Sequence, residues 1–186
     1  MRVIGGEFRG RPLRAPRGGR IRPTQGHVRQ VLFDVLGPSI QGARVLDLFA
    51  GSGAVGLEAL SRGAETVTFV EKSPGSLRCL RANVSALDVQ DRCRILAAPV
   101  EVGLRILNEA GATFGILFAD PPYRSRPRDW MGKTAKRGPG GLLASDGLLI
   151  LEASRRTDSL EAVGDLVRAR RHRVGETVLE FYRWGE

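Results

Sequence analysis

The sequence predicts a doubly wound, Rossmann-like α/β fold: a mostly parallel sheet, a C-terminal antiparallel hairpin and a small basic N-terminal extension. Three observations carry this. From residue 43 onward, short apolar runs alternate with stretches of helical periodicity. The runs are continuously apolar rather than alternating, as strands covered on both faces must be. A glycine-rich turn, Gly51-Ser52-Gly53, follows the first run, and an acid, Glu71, closes the second.

Each element follows from local pattern. Residues 1–24 are punctuated by Gly5-Gly6, Pro12, Pro16, Gly18-Gly19 and Pro23, and read as an arm or small sheet. Thr24 is expected to cap a helix whose apolar positions are Val28, Val31, Leu32, Val35 and Leu36, ended by Gly37-Pro38. Residues 44–49 form the first strand, and a helix rises from the glycine turn through Leu57 and Leu60. Residues 66–70 form the second strand, followed by a helix with Leu77, Leu80, Val84 and Leu87 on one face. Residues 94–97, 114–119 and 148–152 supply three more strands, with a helix over 100–110 between the first two of these. The end, 170–174 and 177–182 around Gly175-Glu176, is an antiparallel hairpin. Residues 1–40 are thus expected to be a basic arm and helix, and 41–186 one compact unit. The segment 124–141 is basic, rich in Gly and Pro and without apolar periodicity, and reads as a long loop.

Composition narrows the class. With 186 residues, 42% hydrophobic and 26% charged, the chain can bury a substantial core. No apolar run reaches the roughly 20 residues needed to span a bilayer, and the first residues lack the layout of a secretory signal. Cys79 and Cys93 are the only cysteines and have no metal-ligand spacing. A reduced, cytoplasmic setting is expected, with inert core thiols, no metal and no membrane partner. The net charge of +9 is clustered. Residues 1–29 hold eight arginines and one acid, Glu7. Further clusters occupy 124–137 and 155–173, so a polyanion-binding surface is expected, with Arg9, Arg11, Arg22, Thr24 and Arg29 as its N-terminal candidates.

Two motifs carry chemistry. Gly51-Ser52-Gly53-Ala54-Val55-Gly56 after a strand, with Glu71 ending the next, is the arrangement that holds a nucleoside, the acid on the ribose hydroxyls. Asp47 interrupts an apolar strand just before the turn, where a carboxylate can receive an ammonium group or bond the turn's own N–H groups. S-adenosylmethionine brings an α-ammonium and no pyrophosphate, whereas the pyrophosphate of NAD would be repelled. The candidate cofactor residues are Asp47, Phe49, Ala50, Gly51, Ser52, Gly53, Glu71 and Lys72. The second motif is Asp120-Pro121-Pro122-Tyr123 at the end of the fourth strand. Two prolines stop the ladder and leave a carboxylate, carbonyl acceptors and a ring, a set suited to a flat heterocycle bearing an exocyclic NH2. These four are the candidate catalytic residues.

Asp-Pro-Pro-Tyr after Phe-Ala-Gly-Ser-Gly resembles the class I amino-methyltransferases. Arg2-Val3-Ile4-Gly5-Gly6, Arg9-Gly10-Arg11, Arg22-Pro23-Thr24, Val28-Arg29, Leu32-Phe33, residues 46–53, 56–62 and Val70-Glu71 are similar, in order, to the RsmD family of bacterial 16S rRNA guanine-N2 methyltransferases. The likeness spans nearly the whole chain and departs at Gln25-Gly26-His27, at Ala97-Ala98-Pro99 and in 124–141. It implies a methyltransferase fold and methyl transfer from S-adenosyl-L-methionine, with S-adenosyl-L-homocysteine as product. The acceptor it implies is one guanine N2 amine of 16S rRNA within a small-subunit assembly intermediate, and the enzyme a monomer. Competing readings are a DNA adenine-N6 or protein glutamine methyltransferase, an NAD-dependent oxidoreductase, and a non-catalytic RNA-binding protein.

Overall fold

The protein is represented by a computed structural model that describes residues 1–16, 23–122, 127–134, 141–157 and 160–185. Among the described residues, eight strands form one sheet in the order β3-β2-β1-β4-β5-β8-β7-β6. They are β1 (Arg44–Leu48), β2 (Thr66–Glu71), β3 (Cys93–Ala97), β4 (Phe114–Ala119), β5 (Leu143–Ser154), β6 (Ala162–Val163), β7 (Leu166–Val174) and β8 (Thr177–Trp184). The first five pair in parallel, and β5–β8, β8–β7 and β7–β6 are antiparallel. The winding reverses between β1 and β4, which is where open α/β sheets bind ligands.

The continuous apolar runs have a direct cause. Neighbouring residues of one strand enter different cores. Val45 packs with α1 (Pro23–Leu36), α2 (Ala54–Ser61) and α3 (Pro74–Leu87) on one face. Leu46 and Leu48 pack with α4 (Val100–Glu109) and α5 (Pro127–Thr134) on the other. Gly103 lets α4 lie tight on the sheet, since a Cβ there would sit 2.6 Å from Val70 Cγ1. The N-terminal arm joins the first of these cores: Val3 and Leu13 are buried beside Leu32, Phe33 and Leu60. No described helix is long and apolar enough to cross a membrane.

Four expectations are revised. Helix α1 begins at Pro23, a residue pre-set for the first helical position, so Thr24 lies inside the first turn rather than capping it. Within 124–141, residues 127–134 are helical, because Trp130 and Met131 bury themselves against α4 and the sheet. Strand β5 starts at Leu143, well before the apolar run at Leu148, with a shift of register against β4 between Phe114 and Ile116. The C-terminal arginine cluster is partly neutralised: Arg168 and Arg171 both pair with Glu180, which is 2% exposed.

Candidate active site

The glycine turn is built by backbone geometry that few residues tolerate. Phe49, Gly51 and Gly53 all have positive φ, at 58°, 56° and 79°. At Gly53 a side chain is excluded twice over, by its φ and because a Cβ would lie 2.3 Å from Leu80 Cδ1. Phe49 is the costly exception, a bulky residue in the left-handed region. Its ring meets Trp130 edge-on, with centroids 5.9 Å apart, so α5 holds the strained residue in place. Lys72 is exposed just past β2.

Two carboxylates fasten the turn. Asp47 Oδ2 accepts from the Gly56 N–H at 3.0 Å, in the first turn of α2. Glu71 accepts from Gly51 N–H at 2.7 Å with one oxygen and from Lys72 and Ser73 N–H with the other. Both acids therefore bond the backbone, and each carboxylate keeps lone pairs for a ligand. Burial pushes the Asp47 carboxyl up to about 7, opposed by the Gly56 hydrogen bond and reinforced by the charges of Asp120 and Glu71.

Asp47 lies in register with Phe118 of β4, and Asp120 follows two residues later at that strand's end. Ala119 pairs with Leu151 of β5, so Asp120 and Glu152 come next, side by side. Asp47, Asp120 and Glu152 line one cavity of about 240 Å³ together with Phe49, Ala50, Gly51 and Ser52. Asp120 is open to the cleft mouth, yet the protein mass around it still pushes its carboxyl up to about 6. Glu152 is raised further, to about 8, by burial and then by the charge of Asp120. Three acids on one cavity form a surface that favours cations and hydrogen-bond donors.

Beside Arg29 and Leu32 of α1, the N-terminal arm also lines the cavity, through Met1, Ala15 and Pro16. Two buried side chains staple it down. Glu58 accepts from the Ile4 and Gly5 N–H groups, both at 2.8 Å, and from Arg62 Nε at 2.9 Å. Asn83 accepts from Arg14 N–H and donates to the carbonyls of Arg14 and Ser52, tying the arm to the glycine turn.

The structure thus brings Asp47, Phe49, Ala50, Gly51, Ser52 and Asp120 to one cavity, with Glu71 at the turn behind it. Pro121 and Pro122 follow β4 at its end, whereas Tyr123 and Arg22 lie outside the described residues. Thr24 is placed only by its backbone, in α1. Arg9 and Arg11 are exposed, Arg11 donating to the Ala86 carbonyl at 2.6 Å. Arg29 is corrected: it is 6% exposed, turned inward, and donates to the Arg2 carbonyl at 2.6 Å. Its Nε lies 3.4 Å from Glu58 Oε2, an ion-pair contact rather than a hydrogen bond. Desolvation lowers its pKa, and Glu58 partly restores it. Sequence reasoning missed Glu58, Asn83 and Glu152. Only Glu152 left a trace, as an acid ending the run Leu148–Leu151 in the way Asp120 ends β4.

The protein family described as "Conserved hypothetical protein 95" matches residues 1–183. Ribosomal RNA small subunit methyltransferase D of Escherichia coli (strain K12) is 37% identical over 154 residues, covering 82% of this chain and 74% of that one. A solved structure of a hypothetical protein from Thermus thermophilus superposes with a TM-score of 0.82 at 33% identity, over 98% of this chain and 99% of that one. SMU.776, solved in complex with SAH, shares the fold with a TM-score of 0.69 at 17% identity, over 87% of this chain and 50% of that one.

Proposed function

The chain belongs to the RsmD family of rRNA methyltransferases, and we propose that it methylates the exocyclic N2 amine of one guanine in 16S rRNA. The methyl donor is S-adenosylmethionine. The observation that carries the reading is the placement of Asp47 and Asp120 on one cavity, from the two strands that flank the reversal of winding. One acid suits a cationic amine of the donor, the other the amine to be methylated.

The residues present fit this donor. Asp47 offers a buried carboxylate to the α-ammonium, and the left-handed turn through Gly51 and Gly53 keeps side chains away from the methionine arm. Glu71 keeps lone pairs for the ribose hydroxyls. When bound, the donor supplies an electrophilic methyl group on a sulfonium and leaves as S-adenosylhomocysteine.

The protein's own residues do the rest. The guanine amine is a poor nucleophile because its lone pair is conjugated into the ring. Asp120 and the Pro121 carbonyl accept its two N–H groups and draw the nitrogen toward tetrahedral geometry, with the lone pair free to attack. No strong base is required, since the proton leaves after transfer and the Asp120 carboxylate is at hand to take it. Tyr123 is assigned to stack on the base, which must leave its helix to enter a strand-end cleft. Positioning and fixed acceptors thus provide the acceleration. On this reading the substrate is a cytoplasmic small-subunit intermediate and the enzyme acts as a monomer. An NAD-dependent reaction is disfavoured because the Asp47 carboxylate already occupies the first turn of α2, where a pyrophosphate would sit.

Labelled S-adenosylmethionine with rRNA, small subunits, DNA or protein as acceptors separates the competing substrates. Asp120→Ala is expected to abolish turnover while S-adenosylmethionine affinity stays within about twofold. An equal loss of cofactor affinity would move Asp120 into the cofactor site and sink its role as acceptor.

A further inference from the structure

The methyl transfer proposed above gives Glu152 no role, and its setting is unusual. It follows Leu151 on β5, whose other edge is fixed by β8 through the pairing of Glu152 with Leu179. The backbone beneath it is therefore held on both sides, by β4 and by β8. Its side chain lines the same cavity as Asp120 and accepts no hydrogen bond from any described residue. Two carboxyls side by side without partners among the described residues cost the fold free energy, by mutual repulsion when both are ionised and by the proton Glu152 must hold below about 8. A structural acid would be paired, as Glu58 and Glu180 are.

The chemistry of the bases says what such a pair can read. Among bases with an exocyclic amine, guanine alone carries a ring N–H, at N1, next to that amine. Adenine and cytosine present a lone pair at the corresponding ring nitrogen. Two acceptors side by side match two parallel donors and meet a lone pair with repulsion. We infer that Glu152 is the guanine-selecting residue: it accepts the ring N1–H while Asp120 accepts the adjacent N2 amine. The inference rests on the guanine-N2 reading above and deepens it by assigning base choice to a residue distinct from the one at the reacting nitrogen. Discrimination of this kind is strong because a bound base shuts the half-buried Glu152 off from water, and the wrong base leaves it without a donor. Below about 8 the protonated Glu152 also carries an O–H that can donate to a lone pair, so the choice of guanine sharpens as pH rises through about 8 and only accepting oxygens remain.

The test uses the full chain, small subunits from cells lacking the protein, and mass spectrometry of the digested nucleosides. Wild type should yield N2-methylguanosine without N6-methyladenosine. Glu152→Leu should lower kcat/KM by about 10- to 100-fold, the range for one stranded hydrogen bond, with S-adenosylmethionine affinity unchanged. Glu152→Gln keeps a carbonyl acceptor and, like the protonated acid, puts no charge beside Asp120, so it should restore most of that loss and melt no lower than wild type. The decisive arm, run above about pH 8 where Glu152 only accepts, replaces the mapped target guanine by 2-aminopurine, which has the same amine but a lone pair at N1. Wild type should lose activity on it by a similar factor, and Glu152→Gln, whose amide can turn to donate, should methylate it faster than wild type does. Wild-type kcat/KM in the Leu variant, or equal wild-type rates on guanine and 2-aminopurine, would overturn the assignment. Wild type that yields no N2-methylguanosine would instead refute the guanine reading itself, and base selection by Glu152 with it.

Discussion

Glu58→Gln should destabilise the protein severely although the residue lies outside the cavity lining. Glu58 is 0% exposed, and the polar groups that meet its carboxylate are donors: the N–H groups of Ile4 and Gly5, Arg62 Nε and Arg29 Nε. Glutamine has the same size but must aim an NH2 group at donors, and it withdraws the charge that compensates the buried Arg29 guanidinium. Removing one partner of a buried ion pair costs about 3–5 kcal/mol. Arg62 is part-exposed and can recover solvent, and one amide oxygen still serves a backbone N–H, so a cost at the low end of that range, about 3 kcal/mol, is expected. For a domain of this size that lowers Tm by roughly 6–12 °C. Urea unfolding followed by circular dichroism reads the free energy, and calorimetry reads Tm. A loss under about 1 kcal/mol, no more than an ordinary hydrogen bond, would refute the reasoning, because the arm would then be held by its apolar contacts and Asn83 without Glu58.

Three further outcomes follow from the site. Glu71→Ala should weaken S-adenosylmethionine binding by about 1–3 kcal/mol, the cost of stranded hydrogen-bonding groups at the turn and on the ligand; calorimetry showing unchanged affinity would leave Glu71 with the turn alone. Asp47, raised to about 7 by burial, must ionise to hold an ammonium group, so S-adenosylmethionine affinity should rise with pH through about 7 and level off above it, with proton release on binding. The same raised value makes the ionised form costly to the empty protein, so this group's contribution to stability grows as pH falls from above 7 toward 4. A flat affinity between about pH 5.5 and 8.5, or an unchanged profile in Asp47→Asn, would end the ammonium role. Replacing Arg9, Arg11 and Arg22 together by Gln should raise the RNA KM and reduce the slope of log K against log salt by roughly one unit per lost phosphate contact. A wild-type slope in that variant would make the arm purely structural, and Arg29→Gln serves as the contrast, losing stability instead.

What the sequence made legible and what it hid divide along a physical line. The strands and the glycine turn were legible because their constraints are local: a strand covered on both faces must be apolar throughout, and the turn's left-handed backbone requires Gly53. Helix α5 was hidden because the apolar residues it buries, Trp130 and Met131, are adjacent and set no helical period amid basic residues. Charge counts over residues 1–29 point Arg29 outward because they cannot see Glu58, which neutralises it from another helix.

Glu152 shows the same limit at the catalytic end, and also how register removes it. Val45, Phe118 and Ile150 all enter the core that packs against α1 and the arm. Side chains alternate along a strand, so two residues further on in each case comes a carboxylate on that same face: Asp47, Asp120 and Glu152. On the sequence these are three acids far apart, each at or near the end of an apolar run. Only the order β1-β4-β5 makes them neighbours. A strand-end acid is therefore ambiguous by itself, because a boundary and a binding group look alike. It becomes informative when the strand beside it ends in the same way on the same face, since two adjacent unpaired carboxylates cost the fold energy that only a ligand with two donors or a cation can return.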